Sequence, residues 1–364
     1  MTPAPHQNPV RRGTSAPDTA PGTAPDSAAP QIGIWLPVYG GWLRTLDISP
    51  TASMAACLQT ARLADSCDYD FLYCSENLLN PVHGANAPVI DAWTLLSAIA
   101  ATTTRIDLCG AVKPGFRSPL QVARMVDTVS ALAKRPIALS IVCGWWQSEF
   151  ERAGVDWLDH TGRYDRAEAF LTALHTLFDS GASGLDPAHR PEVWIAGHST
   201  RAVQMAAEAG ECLFLNGMDD AALAHQIATL RKTEAATGRK ATIAINAHVI
   251  AEPTNSAAQA RVERLIARRD TRSIAEFRTI MQQSGATSWA NLSDAEMVDS
   301  NAGFAAGLVG DYATLQARLR QLRSLGVDRV LCQFDNPAAD IPVFMSRVVD
   351  PIRDTSPEPV ATLP

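Results

Sequence analysis

The stretch IGIWLPVYGGW, residues 32–42, decides the architecture. Its first seven residues form an apolar, strand-like run. The turn that follows lacks the glycine-rich phosphate loop that a doubly wound dinucleotide fold places after its first strand. It offers two aromatics instead, Tyr39 and Trp42. Seven more apolar runs follow: DFLYC (70–74), IDLCGAV (106–112), IALSIVC (137–143), VWIA (193–196), CLFLN (212–216), TIAINAHVI (242–250) and RVLCQF (329–334). Helical spacing fills the gaps, as in MAACLQTARLADSC (54–67), where Cys57, Ala61 and Ala64 share one side. Eight strands alternating with helices predict an α/β fold, the (β/α)8 TIM barrel, with a doubly wound sheet as the alternative.

In such a barrel the site is built from the C-terminal strand ends and the loops after them. Those ends carry Tyr39 and Trp42, Ser75-Glu76-Asn77, Lys113, Gly144-Trp145-Trp146, Gly197-His198-Ser199, Asn216, His248 and Phe334-Asp335. An aromatic-rich mouth with few polar groups suits a flat organic ligand. The stretch 253–305 is long for a link between strands seven and eight and predicts a lid-like insertion. Its Arg268, Arg269 and Arg272 read either as solvated charges or as one anion-binding group on the lid.

Composition narrows the function classes. The chain has 364 residues, 46% hydrophobic and 19% charged, as globular domains do. A net charge of −7 and the lack of any Lys/Arg run interleaved with aromatics argue against a nucleic-acid surface. No segment approaches the roughly 18 apolar residues of a membrane span. Seven cysteines without a CxxC pair read as reduced core residues, with no metal site, and point to the cytoplasm. Residues 1–30, rich in Pro, Ala, Ser and Thr, predict a disordered tail ahead of one barrel domain over 31–357.

LDHTGRYDRAEAF (158–170) opens a helix with His160 and Tyr164 on one face, followed by a stripe of Ala167, Phe170, Leu171, Leu174 and Leu177. Taken alone it reads as a capped helix with two half-buried aromatics. The other reading is an anion site, because free N–H groups at a helix start favour negative charge.

Five stretches together resemble the bacterial luciferase-like superfamily, specifically its reduced-flavin-dependent monooxygenases of the alkanesulfonate and dimethyl sulfone type. They are GIWLPVYGGWLR, SENLLNPVHGANAPVIDAWTLLSAIAATTTRI, AVKPGFRSPLQVARMVDTVSAL, VCGWWQSEFERAGVDWLDHTGRYDRAEAFL and GLVGDYATLQARLRQLRSLGVDRVL. The resemblance implies that His160 and Tyr164, with Gly197 and Ser199 opposite, bind the phosphate of FMN. It also implies that Val112 and the Ser140–Cys143 segment line the flavin ring. By the same token FMNH2 and O2 would do the chemistry through a peroxyflavin, and an NAD(P)H:flavin reductase would supply the reduced flavin. A homodimer or homotetramer is implied as well.

Three departures make the pocket less polar than in the alkanesulfonate enzymes. Asn246 stands where they have arginine, Phe334 where they have tyrosine, and Tyr39 near where they have histidine. A sulfonate needs a cationic partner, so the expected substrate is a small, neutral organic molecule. His248 and Glu76 are candidate acid/base or substrate-orienting groups, with Tyr39 beside them. Trp42, Trp145, Trp146, Asn246 and Phe334 are the candidate substrate wall, and His83 reads as structural. The alternatives are a deazaflavin-dependent hydride-transfer enzyme of the same superfamily and a non-catalytic flavin-binding relative.

Overall fold

The computed structural model describes residues 29–48, 51–284 and 292–354, so most of the predicted tail lies outside it. Eight parallel strands close a barrel: β1 (Gln31–Trp35), β2 (Phe71–Cys74), β3 (Asp107–Val112), β4 (Ala138–Val142), β5 (Glu192–Ala196), β6 (Cys212–Leu215), β7 (Thr242–His248) and β10 (Arg329–Gln333). Around the barrel they run in the order β1-β10-β7-β6-β5-β4-β3-β2. Two further strands, β8 (Ile250–Glu252) and β9 (Val309–Asp311), pair in parallel outside it.

The crossover helices are α1 (Met54–Ser66), α2 (Ala92–Ala100), α3 (Pro119–Ala133), α5 (His160–Asp179), α6 (Thr200–Ala209), α7 (Asp220–Thr237), α10 (Tyr312–Leu325) and α11 (Pro337–Phe344), with short α4 (Gln147–Arg152) and α12 (Asp350–Arg353). Most start where the sequence supplies a cap: Asp91, Ser118, Asp159, Ser199, Asp219 and Asp311 each accept a backbone N–H of the first turn.

Alternate residues of each strand fill the barrel. At the N-terminal end Arg329 pairs with Glu192 at 2.6 Å and lies over the Trp194 ring. Above them Trp35, Tyr73 and Phe214 meet edge-on or tilted, with centroids 5.2–5.6 Å apart. These layers plug the interior below the C-terminal mouth.

Three boundaries differ from the sequence reading. The run 242–250 breaks at Val249, whose N–H bonds Gln333 O, and Ile250 turns out of the barrel to bond Leu308 O. Ala29 and Pro30, grouped with the tail by composition, are buried. On α5 the buried stripe ends in Phe178, and Leu177 is half-buried, because a helical turn from Leu174 brings residue 178 back to the core face.

The long insertion between β7 and β10 contributes α8 (Asn255–Ala267) and α9 (Thr271–Ser284). With its return segment it forms a second apolar cluster, in which Ile274, Phe277, Met281 and Val298 pack with Leu43 and Trp146 from the barrel loops. One buried cation ties it down: Arg261 reaches Asp335 and Asp340 at 2.6 Å each and Glu252 at 3.1 Å. All seven cysteines are free, and no described helix is long and apolar enough to cross a membrane.

Candidate active site

A cavity of about 620 Å³ opens at the C-terminal end of the barrel. One end of it lies at the starts of α5 and α6. Asp159 caps α5 through Gly162 N (2.7 Å), and Ser199 caps α6 through Ala202 N (3.2 Å). The Ser199 hydroxyl donates to Tyr164 Oη at 3.0 Å, and the His160 ring lies 4.9 Å from the Tyr164 ring. Gly197 holds φ at +145°, and a Cβ there would sit 3.2 Å from Tyr164 Oη, so a side chain would crowd the cradle. Arg163 completes this end, lying 4.1 Å over Trp157 and bonded to Leu158 O. Burial pulls its pKa down, yet a guanidinium stays charged.

The floor is aromatic. Trp35, Tyr73 and Phe214 face the cavity, and Trp42 donates through Nε1 to Trp35 O. The β2–β3 wall is a chain of engaged polar groups. Glu76 accepts Lys113 N at 2.7 Å and pairs with Arg117. Lys113 Nζ pairs with Glu149 and also donates to Asn77 Oδ1, while Asn77 Nδ2 donates to Tyr39 Oη at 2.6 Å. Burial pulls the Lys113 pKa down, opposed by Glu149, and holds the Tyr39 phenol well above its ordinary value. Burial likewise pushes the Cys143 thiol up to about 12, so it is no nucleophile.

Phe277, Met281, Ser300 and Asn301 of the insertion form the opposite wall, with Arg44. The Arg44 guanidinium is 1% exposed and lies 3.7 Å over Phe277. It donates to the carbonyls of Pro81, Val82, Met297 and Asp299. Burial lowers its pKa to about 9, partly offset by Asp299.

Of the predicted site residues, Tyr39, Trp42, Glu76, Cys143, Trp145, His160, Tyr164, Gly197 and Ser199 converge on this cavity. Six do not. Val112 lies between the cavity-facing Ala111 and Lys113 and so points outward. Phe334, next after the inward Gln333, packs against Phe344 of α11. Ser140 sits below the floor, accepting the Tyr73 hydroxyl at 3.0 Å. Trp146 is buried in the insertion's apolar cluster. Asn246 spends its amide on Gly217 N and Asn301 O.

His248 is fully buried beneath Phe304, with Gly303 against its backbone and Asp335 3.8 Å away. The return of the insertion therefore covers the end of β7. Arg268, Arg269 and Arg272 lie exposed outside the cavity, Arg268 paired with Asp47 and Arg272 with Glu276. His83 is buried away from the cavity, its pKa lowered to about 4 by burial and by Arg44. The cavity residues missed from sequence include Arg44, Trp157, Arg163, Phe277 and Met281. Only Arg163, inside the HTGRY element, carried a local signal.

Fold and cavity together define a (β/α)8-barrel enzyme. The model of the luciferase-like monooxygenase family matches residues 33–329, and the chain belongs to that family. It is 30% identical over 277 residues to an FMNH2-dependent dimethylsulfone monooxygenase of Pseudomonas fluorescens, covering 71% of this chain and 76% of the relative. A protein of the same description from Pseudomonas putida is 29% identical over 287 residues, covering 73% and 79%. Among solved structures, DmoA from Hyphomicrobium sulfonivorans superposes with a TM-score of 0.74 at 16% identity, covering 89% of this chain and 88% of that one. A riboflavin lyase with modified FMN and riboflavin superposes at 0.72 with 19% identity, covering 89% and 91%.

Proposed function

We propose that this chain is the oxygenase component of a two-component system, which takes FMNH2 and O2 and oxygenates a small, neutral organic substrate. The observation that carries the cofactor is the cradle at one end of the cavity, where Ser199, Tyr164 and His160 meet at two helix starts and Gly197 keeps the space open. Hydroxyls, an imidazole, a nearby guanidinium and free N–H groups fit a phosphate. Ala111, Val142 and Cys143 would contact the ring system. Reduced flavin, when bound, supplies the electrons that activate dioxygen.

The protein's own part is to bind, orient and keep water out. Trp35, Trp42 and Trp145 give the cavity dry faces, and the insertion acts as its lid. The neutral substrate follows from how the cations are used. Arg44 has its N–H donors occupied by four carbonyls, and Lys113 is paired with Glu149, so neither is held free for an anionic group of a substrate. An organosulfur compound or a biosynthetic intermediate fits such a pocket. A separate NAD(P)H:flavin reductase is the proposed source of FMNH2, the chain is proposed to be a homodimer or homotetramer, and its free thiols suit the cytoplasm.

The test compares FMN with riboflavin, which lacks the phosphate, by flavin-fluorescence titration. Two charge-assisted hydrogen bonds at ~1.5–3 kcal/mol each predict that His160→Ala/Tyr164→Phe weakens FMN by about 100-fold or more and leaves riboflavin unchanged. Equal weakening of both flavins, or of neither, would overturn the phosphate assignment. Photoreduced FMN mixed with oxygenated buffer should also consume O2 with different kinetics on the protein than free in solution.

A further inference from the structure

The polarity of the hydrogen-bond chain along the β2–β3 wall is fixed by the chemistry of its members. The Lys113 ammonium can only donate, so the side of Asn77 that faces it is the carbonyl, Oδ1. That leaves Nδ2 facing Tyr39, and an amide NH2 can only donate, so Tyr39 Oη is the acceptor in the 2.6 Å bond. The phenolic hydrogen is therefore turned away from Asn77. Ser75 is the second hydrogen-bond partner of this hydroxyl, and because its Oγ already accepts Trp35 Nε1, its own hydrogen is the one turned to Tyr39 Oη. With both lone pairs of Oη so engaged, the phenolic hydrogen is left to the cavity, which the ring lines at 2% exposure. Each link is held from behind. Glu149, with no exposed surface, pairs with Lys113 and accepts Leu78 N at 2.7 Å, which pins the loop carrying Asn77.

We propose that Lys113, acting through Asn77, fixes Tyr39 as a hydrogen-bond donor into the cavity, and that the substrate presents an oxygen acceptor to it. The substrate class is thus narrowed to neutral, largely apolar molecules carrying a carbonyl-, sulfone- or ether-type oxygen. This rests on the reading of the cavity as the substrate site. Lys113, Asn77 and Glu149 are positioning residues, and Tyr39 is the group that touches substrate. Because burial holds the Tyr39 phenol well above its ordinary pKa, the donor keeps its proton throughout the neutral range. Charge at Lys113 polarises the chain in the same sense, strengthening the terminal donor.

The experiment needs no flavin, so its failure is distinct from failure of the cofactor assignment. Cyclohexanone and methylenecyclohexane, which differ in C=O against C=CH2, are titrated by quenching of the cavity tryptophans. The readout is the ratio of their affinities in each variant relative to wild type, which cancels their different transfer from water. Losing one hydrogen bond predicts that Tyr39→Phe shifts this ratio about five- to tenfold against the ketone. Asn77→Asp is the sharper variant. A carboxylate still satisfies Lys113 but accepts from Tyr39, drawing the phenolic hydrogen out of the cavity, so the ratio shifts likewise while the ring stays in place. A purely structural role would change both probes equally. An unchanged ratio in either variant, or no quenching by either probe in wild type, overturns the proposal.

Discussion

Lys113→Met is expected to destabilise the protein by about 3–5 kcal/mol, because it leaves Glu149 as an uncompensated charge with no exposed surface. The cost comes from stranding the partner more than from losing attraction. Adding Glu149→Gln to the same chain should therefore recover most of the loss, even though it removes the remaining half of the pair. Urea unfolding of the two variants checks this. The single variant should lower the midpoint at constant m-value, and the double variant should return towards wild type. A double variant as weak as the single one would show that the pair itself, rather than the stranded charge, sets the stability.

The second large effect is expected at Arg261→Met. Here one guanidinium, 9% exposed, separates Asp335 from Asp340 and also reaches Glu252. Removing it sets two half-buried carboxylates against each other, at a cost of up to roughly 3 kcal/mol near neutral pH. The loss should depend on pH in a definite direction. Burial raises the Asp335 carboxyl, but His248 and Arg261 outweigh it and hold the folded pKa below the usual range. That contribution is present above the unfolded pKa and lost as pH falls through the folded one. The gap between wild type and Arg261→Met is therefore widest near neutrality and closes as acid protonates the carboxylates. Unfolding midpoints across the acid range test this, and hydrogen exchange should show faster opening in α8 and α9 than in the barrel strands.

The barrel was legible because its strands are apolar on both faces, which makes each a continuous run bounded by turn residues. Helix starts were equally open to reading: Asp159 and Ser199 sit where local capping chemistry needs them, and so His160, Tyr164, Gly197 and Ser199 fall together. Elsewhere a single residue of register decided the outcome. Val112 and Phe334 are one position from inward-facing neighbours, and a period of two sends such a neighbour to the opposite side.

Asn246 and His248 are expected at the site from their place at the end of the seventh strand, yet the segment around Gly303 covers them, and that segment arrives from more than 50 residues downstream. Arg44 was the least legible of all. It reads as an ordinary loop arginine, and two of its carbonyl partners lie 253 and 255 residues away.

The small β8–β9 pair has a consequence for how such a pocket diversifies. It clasps the two ends of residues 253–308 side by side on the outside of the barrel. Closing a longer or shorter loop between ends already clasped changes the entropy only slowly with length. Length within the segment is thus a soft variable: the segment brings Phe277, Met281, Ser300 and Asn301 to the cavity, while Arg261 fixes its first helix to Asp335 and Asp340. Insertions or deletions after Arg261 would re-cut one wall of the chamber and leave both that anchor and the cradle at Tyr164 and Ser199 untouched.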